Sequence, residues 1–190
     1  MPPERGPVVG IDEAGRGPLA GPVVAAAVVL GPAPPEGIRD SKTLSPARRA
    51  RLAAGILASC RTGLGAASAA EIDRLDISRA TFLAMARALV RLGLAPGLCL
   101  VDGNRAPDWP FPTRTVVGGD AREPAIAAAS ILAKVARDRL MERLDTRHPA
   151  YGWAANKGYP TPAHLAALAR LGPSAHHRLS FAPLRHLAGR

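Results

Sequence analysis

The chain has 190 residues, 47% of them hydrophobic, and a formal net charge of +10. That length suits a single domain spanning residues 1–190, with a carboxy-terminal extension from about 145. The charge calls for a polyanionic partner, nucleic acid rather than membrane. Cys60 and Cys99 form neither a disulfide framework nor a zinc pattern. The first residues hold no apolar signal core, and no run approaches the roughly 18 apolar residues of a membrane span. The expectation is a cytoplasmic enzyme or binding protein, acting as a monomer and without membrane contact.

The first informative stretch is Val8-Val9-Gly10-Ile11-Asp12-Glu13-Ala14-Gly15-Arg16-Gly17-Pro18. An apolar strand runs into two acids and then a glycine-rich turn, which places carboxylates at a sheet edge beside a loop. Successive strand side chains point to opposite faces. Either the strand therefore ends at Asp12 and Glu13 swings round, or the two acids work from different sides of one site. Val23 to Leu30 reads as a second, buried strand. Asp40-Ser41-Lys42 is a polar loop, and Ser45-Pro46 an N-cap and N1 opening a helix to about Ala58. Thr62 to Ala70 is weakly patterned and reads as a third strand.

Helical spacing of Ile77, Thr81, Ala84, Met85, Ala88, Leu89 and Leu92 predicts one helix over Asp73 to Leu92, stopped by Gly93. Leu98 to Val101 and Thr113 to Val117 are two more strands, followed by Asp102-Gly103 and Gly118-Gly119-Asp120. A long helix is predicted from Ala121 to Leu144, then a loop from Gly152 to Pro162 and a last helix over Thr161 to Leu171. The tail beyond Gly172 is basic and irregular. Strands interleaved with helices make an α/β fold.

Three strands thus end in acid: Asp12-Glu13, Asp102 and Asp120. The chain has only 15 acids, and neighbouring strands would crowd four of them into one patch of a basic protein. Carboxylates a few Å apart raise one another's pKa and call for cations, and oxygen ligands suit Mg²⁺ or Mn²⁺. Facing a polyanion, such a cluster fits two-metal phosphodiester chemistry. Taken singly, Asp102 could simply begin a turn, and Asp120 could be a helix N-cap in a capping box with Glu123. Asp138, four residues after Lys134, reads as its ion-pair partner. Among 25 basic residues the only lysines are Lys42, Lys134 and Lys157, so a chemical reason for some of them is expected, since ammonium and guanidinium are not interchangeable. The glycine pattern at Gly15 is followed by a strand where a dinucleotide fingerprint needs a helix, and adjacent His176 and His177 lack zinc spacing.

With these motifs together the chain resembles prokaryotic ribonuclease HII from Val8 to Arg185. The resemblance is carried by the stretch from Gly10 to Val23, by Asp40-Ser41-Lys42, Glu71-Ile72-Asp73 and Val101-Asp102-Gly103, by Ala128 to Asp138, and by Lys157-Gly158-Tyr159-Pro160-Thr161. It implies a ribonuclease H-like fold, a five-stranded mixed sheet flanked by helices with a helical carboxy-terminal part. It implies Mg²⁺- or Mn²⁺-dependent cutting of RNA in RNA–DNA hybrids and at single ribonucleotides in duplex DNA. By that resemblance Asp12, Glu13, Asp102 and Asp120 are the catalytic metal-binding acids. Gly15, Arg16 and Gly17 sense the ribose, and Tyr159 stacks on the next sugar. Lys42 and Lys157 are expected to grip phosphates, with Arg178 a further grip from the tail. Thr43 and Asp76 depart from the residues usual at those places. The alternatives are a non-catalytic nucleic-acid-binding module on the same fold, and ribonuclease HIII, whose extra amino-terminal domain finds no room ahead of Val8.

Overall fold

The computed structural model describes residues 6–38 and 44–186, so Lys42 and its loop lie outside the described residues. Five strands form: β1 Val8–Ala14, β2 Val23–Val29, β3 Arg61–Ala67, β4 Leu98–Asp102 and β5 Thr113–Val116. They make one sheet in the order β3-β2-β1-β4-β5. β1 pairs antiparallel with β2 and β2 with β3, whereas β1–β4 and β4–β5 are parallel. The sheet is therefore mixed, and its parallel half brings the ends of β1, β4 and β5 to one edge.

Helices cover both faces: α1 Pro46–Ser59, α2 Ala69–Leu75, α3 Ile77–Leu92, α4 Pro124–Arg147, α5 Trp153–Asn156 and α6 Pro162–Leu171. On one face Val9, Ile11, Val101 and Cys99 pack with Met85, Leu89 and Leu92. On the other, Ala26 and Val28 pack with Leu52, Ile56, Ile131 and Leu132. Each fully buried Val, Leu, Ile or Met side chain among these contributes about 1.5–3 kcal/mol. Strand periodicity sends Val9 and Ile11 into the first cluster, so Gly10 and Asp12 face α4. A Cβ on Gly10 would lie 2.1 Å from the Ala125 carbonyl carbon, so glycine lets the start of α4 lie directly on β1.

The predicted helix over Asp73 to Leu92 is two helices. Asp76 breaks it with φ 72°, and its carboxylate accepts from the Ser78 and Arg79 backbone N–H groups, capping α3. The third strand stops at Ala67 because Ser68 and Glu71 form a reciprocal capping box that starts α2. The long helix begins at Pro124 rather than Ala121. Gly119–Ala121 is a short 3-10 turn, and Glu123, not Asp120, holds the N-cap position.

The carboxy-terminal part builds its own cluster, in which Leu19, Met141, Tyr151, Trp153, Leu168 and Leu184 are buried together. The tail is less irregular than its sequence suggests. His177 bridges to Ala20, and Asp73 accepts hydrogen bonds from the Leu179 and Ser180 N–H groups at 2.9 Å.

Candidate active site

Register decides which acids meet. β1 and β4 run parallel with Ile11 opposite Val101, so the following residues, Asp12 and Asp102, emerge side by side on the α4 face. Glu13 lies one residue further along β1, which continues to Ala14. The two carboxylates therefore reach the site from opposite faces of an intact strand, the second of the two geometries expected. Asp12, Glu13 and Asp102 line one pocket of about 480 Å³, with Gly15, Arg16, Gly17, Ser130, Lys134, Arg137 and Tyr159. Asp102 is held by the Gly119 N–H, which donates to its Oδ1 at 2.7 Å. The Glu13 N–H donates to Asp12 Oδ1 at 2.7 Å. Asp120 follows Gly119 directly and is buried, but it is not among the residues lining the pocket.

The electrostatics of this pocket are unfavourable as they stand. Burial raises the Asp12 carboxyl well above its ordinary range, and the charges of Glu13 and Asp102 push it further. The Ser130 hydroxyl opposes this by hydrogen bonding to it. Burial also raises Glu13, against the pull of Arg16, whose guanidinium stands 3.5 Å from it. Lys134 is committed to Asp138 at 2.8 Å. Excess negative charge from hard oxygens in a buried pocket fits a divalent cation. Among the described residues no three acidic, histidine or cysteine side chains already surround one point.

Beside the acids lies the Gly15-Arg16-Gly17 loop, and two buried arginines shape it from below. Arg178 is 0% exposed. Its guanidinium donates to the carbonyls of Gly15 at 2.6 Å, Arg16 at 2.8 Å and Gly21 at 2.8 Å. Arg137, 1% exposed, donates to the carbonyls of Pro22, Lys157 and Ala20 at 3.0–3.1 Å. Neither has a carboxylate within ion-pair distance among the described residues. Burial and the neighbouring Arg137 push the Arg178 guanidinium down to about 9, which leaves it charged at neutral pH. Arg178, expected as a phosphate grip, is sealed from solvent and spends its donors on the loop backbone.

Lys157, the other expected grip among the described residues, is paired in this structure. Its Nζ donates to Glu142 Oε1 at 2.7 Å and to the Ala154 carbonyl at 2.6 Å, and it does not line the pocket. Lys134 does, and so do Ser130 and Arg137, which the strand-end motifs do not point to. Ser130 has a visible signal, being the one polar residue in the otherwise apolar run from Ala125 to Ala133. Tyr159 is 44% exposed, with its ring beside Gly17 across the pocket mouth; a Cβ on Gly17 would lie 3.8 Å from Tyr159 Cε1. The Leu19 N–H donates to the Gly158 carbonyl at 2.8 Å and so joins the glycine loop to the tyrosine segment.

The profile of the Ribonuclease HII family matches residues 9–184. The chain belongs to the ribonuclease HII family. Members of this family are type 2 ribonucleases H, metal-dependent endonucleases. The ribonuclease HII of Sphingopyxis alaskensis is 58% identical over 180 residues, covering 95% of this chain and 91% of its own. That of Paracoccus denitrificans is 57% identical over 182 residues, covering 95% and 87%. Among solved structures, the ribonuclease H2 of Pyrococcus horikoshii superposes with a TM-score of 0.80 at 26% identity, covering 96% of this chain and 97% of that one. The family fold extends to a ribonuclease HIII solved in complex with Mn²⁺, with a TM-score of 0.74 at 19% identity, covering 96% of this chain and 69% of that longer one. In this chain, no helix among the described residues is long and apolar enough to cross a membrane.

Proposed function

We propose that this chain hydrolyses the RNA strand of RNA–DNA hybrids and cuts duplex DNA at single embedded ribonucleotides. Water adds to phosphorus and the bond to the 3′ oxygen breaks, leaving 3′-hydroxyl and 5′-phosphate ends. The observation that carries this reading is one pocket lined by Asp12, Glu13 and Asp102 together with Gly15, Arg16, Gly17 and Tyr159. Asp12, Glu13 and Asp102, with Asp120 behind Asp102, would hold Mg²⁺ or Mn²⁺. Two such ions would supply a nucleophile at neutral pH and offset charge on the leaving oxygen.

The protein's own residues do the rest. The 2′-hydroxyl distinguishes RNA from DNA, and the backbone at Gly15 and Gly17 lets it come close without a side chain between. Arg16, half exposed at the pocket, is placed to hold a phosphate. Tyr159 presents its ring to the next sugar, where a deoxyribose stacks better than a ribose. Lys134 lines the same pocket from α4, paired with Asp138. The reading needs residues from one copy of the chain alone, so a monomer would suffice.

Asp102→Asn tests it. The amide keeps an oxygen for the Gly119 N–H, so the protein folds, while cleavage of a duplex with one ribonucleotide falls on the order of 10³-fold with either metal. Undiminished cleavage by the folded variant would remove Asp102, and with it the metal-site reading.

A further inference from the structure

The carboxy-terminal part holds a buried chain of donors that ends on the backbone of the pocket tyrosine. The Ser174 N–H donates to His177 Nδ1 at 2.9 Å. That fixes the His177 proton on Nε2, which stands 3.1 Å from His164 Nε2. The indole N–H of Trp153 also donates to His164 Nε2, at 3.1 Å. With Nε2 accepting twice, the His164 proton must be on Nδ1, 2.9 Å from the carbonyl of Tyr159. Only this pair of tautomers satisfies all four contacts.

Both rings are buried, His164 at 0% exposure. Burial lowers both pKa values, that of His177 to about 4, so both are neutral at pH 7 and the donors keep their order. Tyr151 and Trp153 close the packing around His177, with ring centroids at 4.7 and 5.2 Å. The same tail reaches the glycine loop: the Arg178 N–H donates to the Leu19 carbonyl, and the Gly21 N–H to the His176 carbonyl. His177 and Arg178 are therefore adjacent residues serving the two sides of the pocket mouth.

From this geometry we infer that His164 is a positioning residue: oriented by His177 and Trp153, it fixes the Tyr159 backbone and with it the ring that discriminates the sugar following the ribonucleotide. The inference depends on Tyr159 acting at that sugar, as proposed above. His164 touches no substrate. Its effect is on selectivity rather than on the chemical step, so it should alter KM and the ratio between substrates while leaving kcat on a continuous hybrid nearly unchanged.

The experiment compares cleavage of a single-ribonucleotide duplex with cleavage of a continuous RNA–DNA hybrid. His164→Leu should lower that ratio about threefold to tenfold, the size of one hydrogen bond's net contribution. His164→Asn, whose amide N–H takes the place of Nδ1–H, should restore it. Tyr159→Ala should lower it as far, and the double variant no further. Equal losses on both substrates, or additive losses, would make His164 merely structural and overturn the inference. A second readout does not depend on the tyrosine's role: in protein labelled with 3-fluorotyrosine, the ¹⁹F signal absent from Tyr159→Phe should move in His164→Leu and return in His164→Asn. If that signal stays in place, the inference fails; if it moves while Tyr159→Ala keeps the wild-type ratio, the positioning holds and the sugar-discrimination reading fails instead.

Discussion

Gly15 shows how narrowly the site is built at the level of single residues. Its φ is +95°, and a Cβ there would lie 1.9 Å from Arg137 Nε. Backbone conformation and space both demand glycine. Arg137 cannot withdraw, because its guanidinium holds three carbonyls from two distant segments. Gly15→Ala should therefore cost about 1–3 kcal/mol of stability and shift the loop away from the acids. Denaturant unfolding would register the first effect and cleavage assays the second. A variant with wild-type stability and activity would show that Arg137 is not the fixed floor of this loop.

At the scale of elements, the acids were legible and their scaffold was not. Asp12 and Asp102 announce themselves as polar ends of apolar strands, because strand periodicity and parallel pairing are local and regular. Arg178 carries no such signal. In a chain with 25 basic residues one more arginine in a basic tail reads as a surface charge, and its partners lie more than 150 positions away. The break at Asp76 was hidden for a similar reason: helical spacing continues across it, and only the carboxylate's turn back to Ser78 and Arg79 reveals two helices. The arginine's role has a direct consequence. Arg178→Met removes four donations, taking the partner from the buried Gly21 carbonyl and from the part-buried carbonyls of Gly15 and Arg16. The expected cost is about 3 kcal/mol or more, with cleavage lost through the loop. Arg178→Lys, a single point donor, should recover only part of either. If cleavage survived Arg178→Met while phosphate affinity dropped, the arginine would be a grip after all.

The whole molecule sets two groups of titrating residues against each other, and the linkage signs follow from their shifts. His177, His164 and His176 are all lowered by burial. Between their ordinary value near 6.5 and about 4 for His177, the unfolded chain binds more protons than the folded one, so stability falls as pH falls through that window. Asp12 and Glu13 are raised by burial. Above their ordinary values the folded chain holds the extra protons, so their contribution increases as pH falls and is lost as pH rises. Near neutral pH the metal-free protein thus keeps stable histidine packing and a strained acid pocket. A divalent cation acts on the second alone, since it competes with protons for the same oxygens. Mn²⁺ should raise the melting temperature at pH 7.5, and raise it less at pH 5.5, because protons compete with the ion for carboxylates whose pKa burial raises. Asp12→Asn should melt higher than wild type without metal at pH 7.5, having lost a buried charge, and gain little from Mn²⁺. Calorimetric scans of both proteins at the two pH values, with and without Mn²⁺, check all of this. An equal Mn²⁺ gain in wild type and Asp12→Asn would mean that the ion stabilises the protein somewhere other than this pocket.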